Sequence, residues 1–155
     1  MGVEIERKFL ISGDSWRSQA DAGDRYRQGY LSHDPQRSVR VRIAGEQAWL
    51  NIKCATSPIR RLENEYLIPL VDAQEMLETL CTDDCVDKIR YHVKHGEHVW
   101  EVDVFEGRNA GLIVAEIELD DEDEAFDKPD WLGSEVSDDP RYYNMNLAKQ
   151  PYTTW

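Results

Sequence analysis

Apolar and charged residues alternate along most of this chain, with a period of two. At the N-terminus Val3, Ile5 and Phe9 fall on one parity, while Glu4, Glu6 and Lys8 fall on the other. Successive side chains of a β-strand point to opposite faces, so the segment predicts a strand with one apolar and one charged face. The same pattern returns repeatedly. Arg40 and Arg42 alternate with Val39, Val41 and Ile43; Asn51 and Lys53 with Leu50 and Ile52; Arg61, Glu63 and Glu65 share one register. Lys88 and Arg90 alternate with Ile89, Tyr91 and Val93, Glu101 and Asp103 with Trp100, Val102 and Val104, and Glu116 and Glu118 with Ala115, Ile117 and Leu119. Strands are predicted near 3–10, 24–32, 37–44, 47–54, 60–70, 86–95, 98–106 and 112–119. Gly45-Glu46, Ser57-Pro58, His95-Gly96-Glu97 and the stretch 107–111 mark turns. Asp72 is expected to cap a helix running to Leu80 with Met76, Leu77 and Leu80 on one side; a second helix is expected over 140–149 and a short turn at Asp14-Ser15-Trp16.

Two architectures suit such strands. One is an open amphipathic sheet with a wet face. The other is a closed barrel whose interior is the charged face. The polar positions are nearly all Glu, Asp, Arg and Lys, and the signs segregate by strand. Acids sit on the first, fifth, seventh and eighth strands, bases on the third, fourth and sixth. Both features favour a tunnel. The expected fold is mainly β (α+β): an eight-stranded antiparallel closed barrel with a few peripheral helices and a C-terminal helix. At 155 residues it is expected to form a single domain over 1–155.

Composition narrows the partners. Hydrophobic content of 41% with five Trp excludes a disordered chain. No apolar run is long enough to cross a bilayer and a strand begins almost at the first residue, so a cytoplasmic location is expected. A net charge of −13 argues against nucleic acid and acidic membranes, but leaves room for a small anion held by a local basic cluster. The acidic run 120–127 reads as a solvated turn leading into a short helix, and it lacks the glycine and closing Glu of a calcium loop. Cys54, Cys81 and Cys85 have no partners with zinc-site spacing and read as reduced thiols. His92, His95 and His98 surround one hairpin and read as turn-exposed, and His33 as solvent-facing. No Ser-His-Asp or Cys-His set supports covalent catalysis.

A lumen of mixed charge must pair its charges or bind ions that do so, because isolated buried charges are very costly. Carboxylates without His or Cys suit Mg²⁺, Mn²⁺ or Ca²⁺ better than zinc. Bases spread over separate strands suit an anion with several phosphates. Phosphoryl transfer needs charge neutralisation, positioning and an activated water. No Walker A, kinase or Rossmann glycine pattern is present, so side chains must hold the phosphates. From the residues alone, the expectation is metal-dependent binding of a small polyphosphate inside a barrel.

The series also resembles a known family. Glu4-x-Glu6-x-Lys8 is similar to the N-terminal signature of the CYTH superfamily, the triphosphate tunnel metalloenzymes. Arg40-x-Arg42, Lys53, Arg61-x-Glu63-x-Glu65, Lys88-x-Arg90, Glu101-x-Asp103 and Glu116-x-Glu118 follow in the family's order, and the likeness extends to about residue 149. The resemblance implies Mg²⁺ or Mn²⁺ as cofactor. It implies metal coordination, or orientation of metal-bound water, by Glu4, Glu6 and Glu118, with Glu63, Glu65, Asp103 and Glu116 nearby. It implies phosphate binding by Lys8, Arg40, Arg42, Lys53, Arg61, Lys88 and Arg90. Gln28-Gly29-Tyr30-Leu31 and Pro140-Arg141-Tyr142-x-Asn144 resemble the small bacterial subgroup. There a Lys–Tyr pair, Lys8 and Tyr30 here, assists catalysis and a C-terminal helix plugs one end. Without the family, Tyr30 reads as a packed strand aromatic.

Members of the superfamily include inorganic triphosphatases, thiamine triphosphatases, class IV adenylyl cyclases and RNA triphosphatases. The subgroup points first to inorganic triphosphate. A cyclase with Trp49 stacked on adenine, a thiamine triphosphatase, and a non-catalytic polyphosphate or nucleotide binder remain open. The expected partner is a small-molecule triphosphate, without nucleic acid or membrane, bound by a monomer or homodimer.

Overall fold

A computed structural model describes residues 2–81, 83 and 85–155. Among these residues nine strands are formed: β1 (Gly2–Ile11), β2 (Asp24–Ser32), β3 (Ser38–Ala44), β4 (Gln47–Ala55), β5 (Arg60–Ile68), β6 (Cys85–His95), β7 (His98–Phe105), β8 (Ile113–Leu119) and β9 (Leu132–Glu135). Two α-helices, α1 (Leu70–Thr79) and α2 (Asn144–Lys149), and four short 3₁₀ turns complete the secondary structure. The strand order is β5-β4-β3-β2-β6-β7-β8-β1-β9, and β5 also pairs with β1, closing eight antiparallel strands into a barrel. Closure removes the sheet edges that would otherwise invite pairing with other chains.

Register turns the alternation into an inside and an outside. Tyr30 faces Arg40 and Gln28 faces Arg42 across β2–β3. Lys53 faces Glu63, Arg90 faces Asp103, Glu101 faces Glu116, and Lys8 and Glu6 face Glu116 and Glu118. Paired residues share a face, so a single shared parity gathers these groups within the barrel.

The apolar parity points outward and must be covered. Phe9, Trp16, Trp100, Ile117 and Trp131 form one buried cluster, reached by the turn at Ser15–Gln19 and the chain before β9. Val41, Ala48, Ala73 and Leu77 join α1 to β3 and β4. Gly29 on β2 allows that approach: a Cβ there would lie 2.6 Å from the Cys81 Cβ. At one end of the barrel Tyr30, Val86, Phe105 and Val114 pack against Leu147 of α2. Each fully buried large side chain contributes about 1.5–3 kcal/mol.

Several local expectations are corrected. The helix begins at Leu70 with Pro69 in the cap position, so Asp72 lies in its first turn, where a carboxylate favours the positive end of the helix dipole. Pro69, lacking an N–H, also ends β5 before residue 70. Ala73 and Leu77 are the buried helix residues, whereas Leu80 is 62% exposed. The segment 140–149 divides into a 3₁₀ turn, Pro140–Tyr142, and α2, separated by the extended Tyr143. The run 120–127 forms no helix; Phe126 folds back onto Phe9 and Trp100. His98 and His92 both find carboxylates from distant segments, Nε2 to Glu124 at 2.5 Å and Nδ1 to Asp21 at 3.1 Å. His33 is half-buried beside the Tyr30 ring.

β9 lies outside the eight strands expected from the alternation. It pairs with the second half of β1, Phe9 opposite Glu135 and Ile11 opposite Leu132, while the first residues of β1 pair with β5. Gly133 permits the pairing, since a Cβ there would meet the Leu10 carbonyl oxygen at 2.8 Å. Among the described residues no disulfide links Cys54, Cys81 or Cys85. Among the described residues no helix is long and apolar enough to cross a membrane.

Candidate active site: a charged lumen closed by the C-terminal segment

The barrel encloses a cavity of about 440 Å³ lined from all eight of its strands, with Pro140, Tyr143 and Asn144 among the residues contributed by the C-terminal segment. Glu4, Glu6, Lys8, Tyr30, Arg40, Arg42, Lys53, Arg61, Glu63, Glu65, Lys88, Arg90, Glu116 and Glu118 all line it. Asp103 does not, and Glu101, two residues earlier on the same strand face, does. Strand order sorts the charges into two arcs. β7, β8, β1 and β5 are consecutive around the wall and carry the acids; β4, β3, β2 and β6 complete the circle with most of the bases. Lys8 and Arg61 are the cations within the acidic arc.

One part of the wall is saturated. Asp103 is completely buried and accepts hydrogen bonds from Lys88 Nζ at 2.7 Å and from Arg90 Nε and Nη2 at 2.7 and 2.9 Å. Arg90 also donates to Glu101 at 2.6 Å and to Glu116 at 3.2 Å. Burial alone would raise Asp103, but Arg90 and Lys88 hold its carboxyl below the usual range. Lys88 is pushed down to about 8 by burial, because it shares Asp103 with the permanently charged Arg90. The C-terminal segment adds neutral acceptors. Asn144 Oδ1 accepts from Lys88 Nζ at 3.0 Å and from Gln28 Nε2 at 3.2 Å, and the Tyr142 carbonyl accepts from Lys8 Nζ at 3.2 Å. These acceptors hold both lysine ammoniums in place without neutralising them.

The acidic arc is short of positive charge. Lys53 lies between Glu4 at 3.2 Å and Glu63 at 3.0 Å, and Arg61 approaches Glu6 at 3.4 Å and Glu4 at 3.8 Å. Among the described residues Glu118 has no ion pair. Glu6 is raised to about 7 by burial and by Glu116 and Glu4, which Arg61 and Lys8 offset only in part. Burial and four neighbouring carboxylates also raise Glu118, and burial raises Glu101 in spite of Arg90. Glu116 goes the other way: burial opposes its ionisation, but Lys8, Arg90, Lys88 and Arg61 hold it well below the usual carboxylate range.

That imbalance fits a divalent cation. The donors are hard oxygens, and repulsion among them is what a bound cation relieves. Among the described residues no three acids converge closely enough to hold an ion unaided. Mg²⁺-type sites commonly use one or two carboxylates and complete their shell with water and substrate phosphate.

Burial raises the Tyr30 phenol, with Arg40 opposing, so it stays protonated at neutral pH. Lys8 Nζ lies 3.5 Å from Glu116. Among the described residues no hydrogen bond joins Lys8 to Tyr30. No sequence pattern signals that Gln28 meets Asn144 or that the Tyr142 carbonyl meets Lys8 at the end of the lumen.

The CYTH domain model matches residues 2–143. The inorganic triphosphatase of Acetivibrio thermocellus is 51% identical over 152 residues, 98% of this chain and 97% of that protein. The inorganic triphosphatase of Nitrosomonas europaea is 35% identical over 151 residues, 94% of this chain and 97% of that protein. A crystal structure of an inorganic triphosphatase, 34% identical, superposes with a TM-score of 0.67 over 96% of this chain and 95% of that one. Matched along nearly its whole length, with its signature carboxylates on β1 turned into a closed charged tunnel, this chain belongs to the CYTH domain family.

Proposed function

We propose that this chain hydrolyses inorganic triphosphate with the aid of Mg²⁺ or Mn²⁺ held on the acidic arc. The observation that carries the reading is the division of one cavity into facing acidic and basic arcs, with bases on strands far apart in sequence. A compact anion would satisfy only one or two of those bases. A linear polyphosphate could reach several members of the set Lys8, Arg40, Arg42, Lys53, Arg61, Lys88 and Arg90 at once. The inorganic triphosphatases that the chain resembles support the same substrate.

The bound cation would supply charge neutralisation and an activated water, held by Glu4, Glu6 and Glu118 with Glu63, Glu65, Glu101 and Glu116 around them. The chain's own groups do the rest. Lys8 and Lys88, fixed by the Tyr142 carbonyl and Asn144, each keep at least one N–H donor for a phosphate oxygen. Tyr30, kept protonated by burial, donates from Oη to a phosphate oxygen and offsets charge as the phosphoryl group transfers. Asp103 takes a different role from the other acids. Its oxygens are occupied by Lys88 and Arg90, so it positions those cations and leaves ion binding to Glu101 and its neighbours.

A substrate panel tests the reading. Inorganic triphosphate, ATP, thiamine triphosphate and pyrophosphate are each incubated with Mg²⁺ and with Mn²⁺, and orthophosphate and cyclic nucleotide are measured together. Fast orthophosphate release from inorganic triphosphate, slower release from ATP and no cyclic AMP are expected. Cyclic AMP from ATP with inorganic triphosphate left intact would overturn it.

A further inference from the structure

Arg42 is held unlike any other base in the lumen. On β3 it faces Trp49 of β4 directly and Gln28 of β2 on its other side, with Tyr26 diagonal to it. Its Cζ lies 5.2 Å from the Tyr26 ring centroid and 5.2 Å from that of Trp49, so rings from both neighbouring strands contact one guanidinium. Tyr26 also carries Arg90 at 5.2 Å.

Polar contacts to Arg42 are sparse. Its ion pair with Glu65 spans 3.5 Å, longer than the ~2.7–2.9 Å of a strong charge-assisted bond. Among the described residues its buried Nε has no hydrogen-bond partner. Arg90, by contrast, donates four hydrogen bonds to three carboxylates. A desolvated cation without close carboxylates is costly unless something else stabilises it, and two aromatic faces do so without using its in-plane donors. Arg42 lines the cavity, whereas neither ring does. The Trp49 indole, the candidate for stacking on an adenine, carries the Arg42 guanidinium over its ring.

We propose that Tyr26 and Trp49 are positioning residues that clamp Arg42 with its donor edge free for the substrate polyphosphate, so that affinity depends on two rings lying outside the cavity lining. The clamp rests on the reading of the lumen as a triphosphate site.

The test compares Trp49→Leu and Tyr26→Leu, which remove a ring face, with Trp49→Tyr and Tyr26→Phe, which keep one. For each folded variant kcat and KM for inorganic triphosphate are measured with Mg²⁺, and the Kd for inorganic triphosphate is measured by calorimetry without metal. Ring loss should raise KM and Kd by about 3- to 30-fold, the span of a partly to fully desolvated cation–π contact. kcat should stay within about twofold, and the ring-keeping variants should restore KM. In an Arg42→Ala background the same ring loss should add nothing.

Equal penalties with and without Arg42, or no rescue by the ring-keeping variants, would overturn the clamp. The two Leu variants are independent arms, and Arg42→Ala decides if neither folds: an unchanged KM there would also overturn it. Absence of both binding and hydrolysis of inorganic triphosphate in the unaltered protein would instead defeat the reading of the lumen, and the clamp with it.

Discussion

Two neighbouring stretches of the barrel wall use the same residue types to opposite ends. Across β6 and β7, Lys88, Arg90 and Asp103 satisfy one another at 2.7–2.9 Å. Across β8 and β1, Glu6 and Glu118 crowd together with too few cations, and both are raised. The first stretch is complete as folded. The second is electrostatically unfinished, and what would finish it is a cation brought from outside. A binding site for an ion and an anion has to leave charge uncompensated somewhere, and here the deficit is confined to part of the wall.

The contrast can be broken most forcefully at Asp103. Asp103→Asn should destabilise the protein by about 3–5 kcal/mol in a urea melt, because it leaves two buried cations without their carboxylate. A loss below 1 kcal/mol would mean that the saturated node is no such thing. Glu118→Gln should behave in the opposite sense. Removing one charge from the crowded arc should leave the metal-free fold as stable as before, or up to about 1 kcal/mol more stable, while turnover falls by about 100-fold or more. If the Gln variant instead unfolds readily, the arc is not strained by repulsion.

Those two acids also mark what was legible in the sequence. Period-two alternation identified the inward face of seven of the eight barrel strands, β2 excepted, because register preserves parity wherever strands pair. Segregation of sign by strand likewise survived as two arcs. Depth was not legible. Glu101 and Asp103 share a face and differ by two residues, or ~6.6 Å along the strand, which puts one in the cavity lining and leaves the other covered by Lys88 and Arg90. β9 escaped because Leu132-Gly133-Ser134-Glu135 has little strand character of its own and forms on the half of β1 that β5 leaves unpaired. The acceptors on Lys8 and Lys88 escaped because a backbone carbonyl and an Asn arrive from the other end of the chain.

A third prediction sharpens the comparison through pH. Lys88 carries a folded value of about 8 against an unfolded value of 10.5. Between those values the unfolded chain binds the extra proton, so stability rises with pH across about 8 to 10.5 and the cost of burying the charged lysine is fully present below 8. Substrate binding should move the other way, since the neutral amine no longer attracts phosphate. kcat/KM for inorganic triphosphate should therefore fall above pH ~8 as urea stability climbs. A profile in which both rise together would contradict this assignment.

A smaller effect is expected at the end of the lumen. Asn144→Ala removes a neutral acceptor from Lys88 but leaves Asp103 in place. A loss of about 1 kcal/mol in stability and a rise of a few fold in KM are expected. An unchanged KM would confine Asn144 to packing.

The central claim is that the acidic arc functions only with a divalent cation. Orthophosphate release from inorganic triphosphate is followed with Mg²⁺, then with excess chelator, then with Mg²⁺ or Mn²⁺ returned. Release should cease with the chelator and recover when metal is restored. Undiminished release in excess chelator would contradict the account.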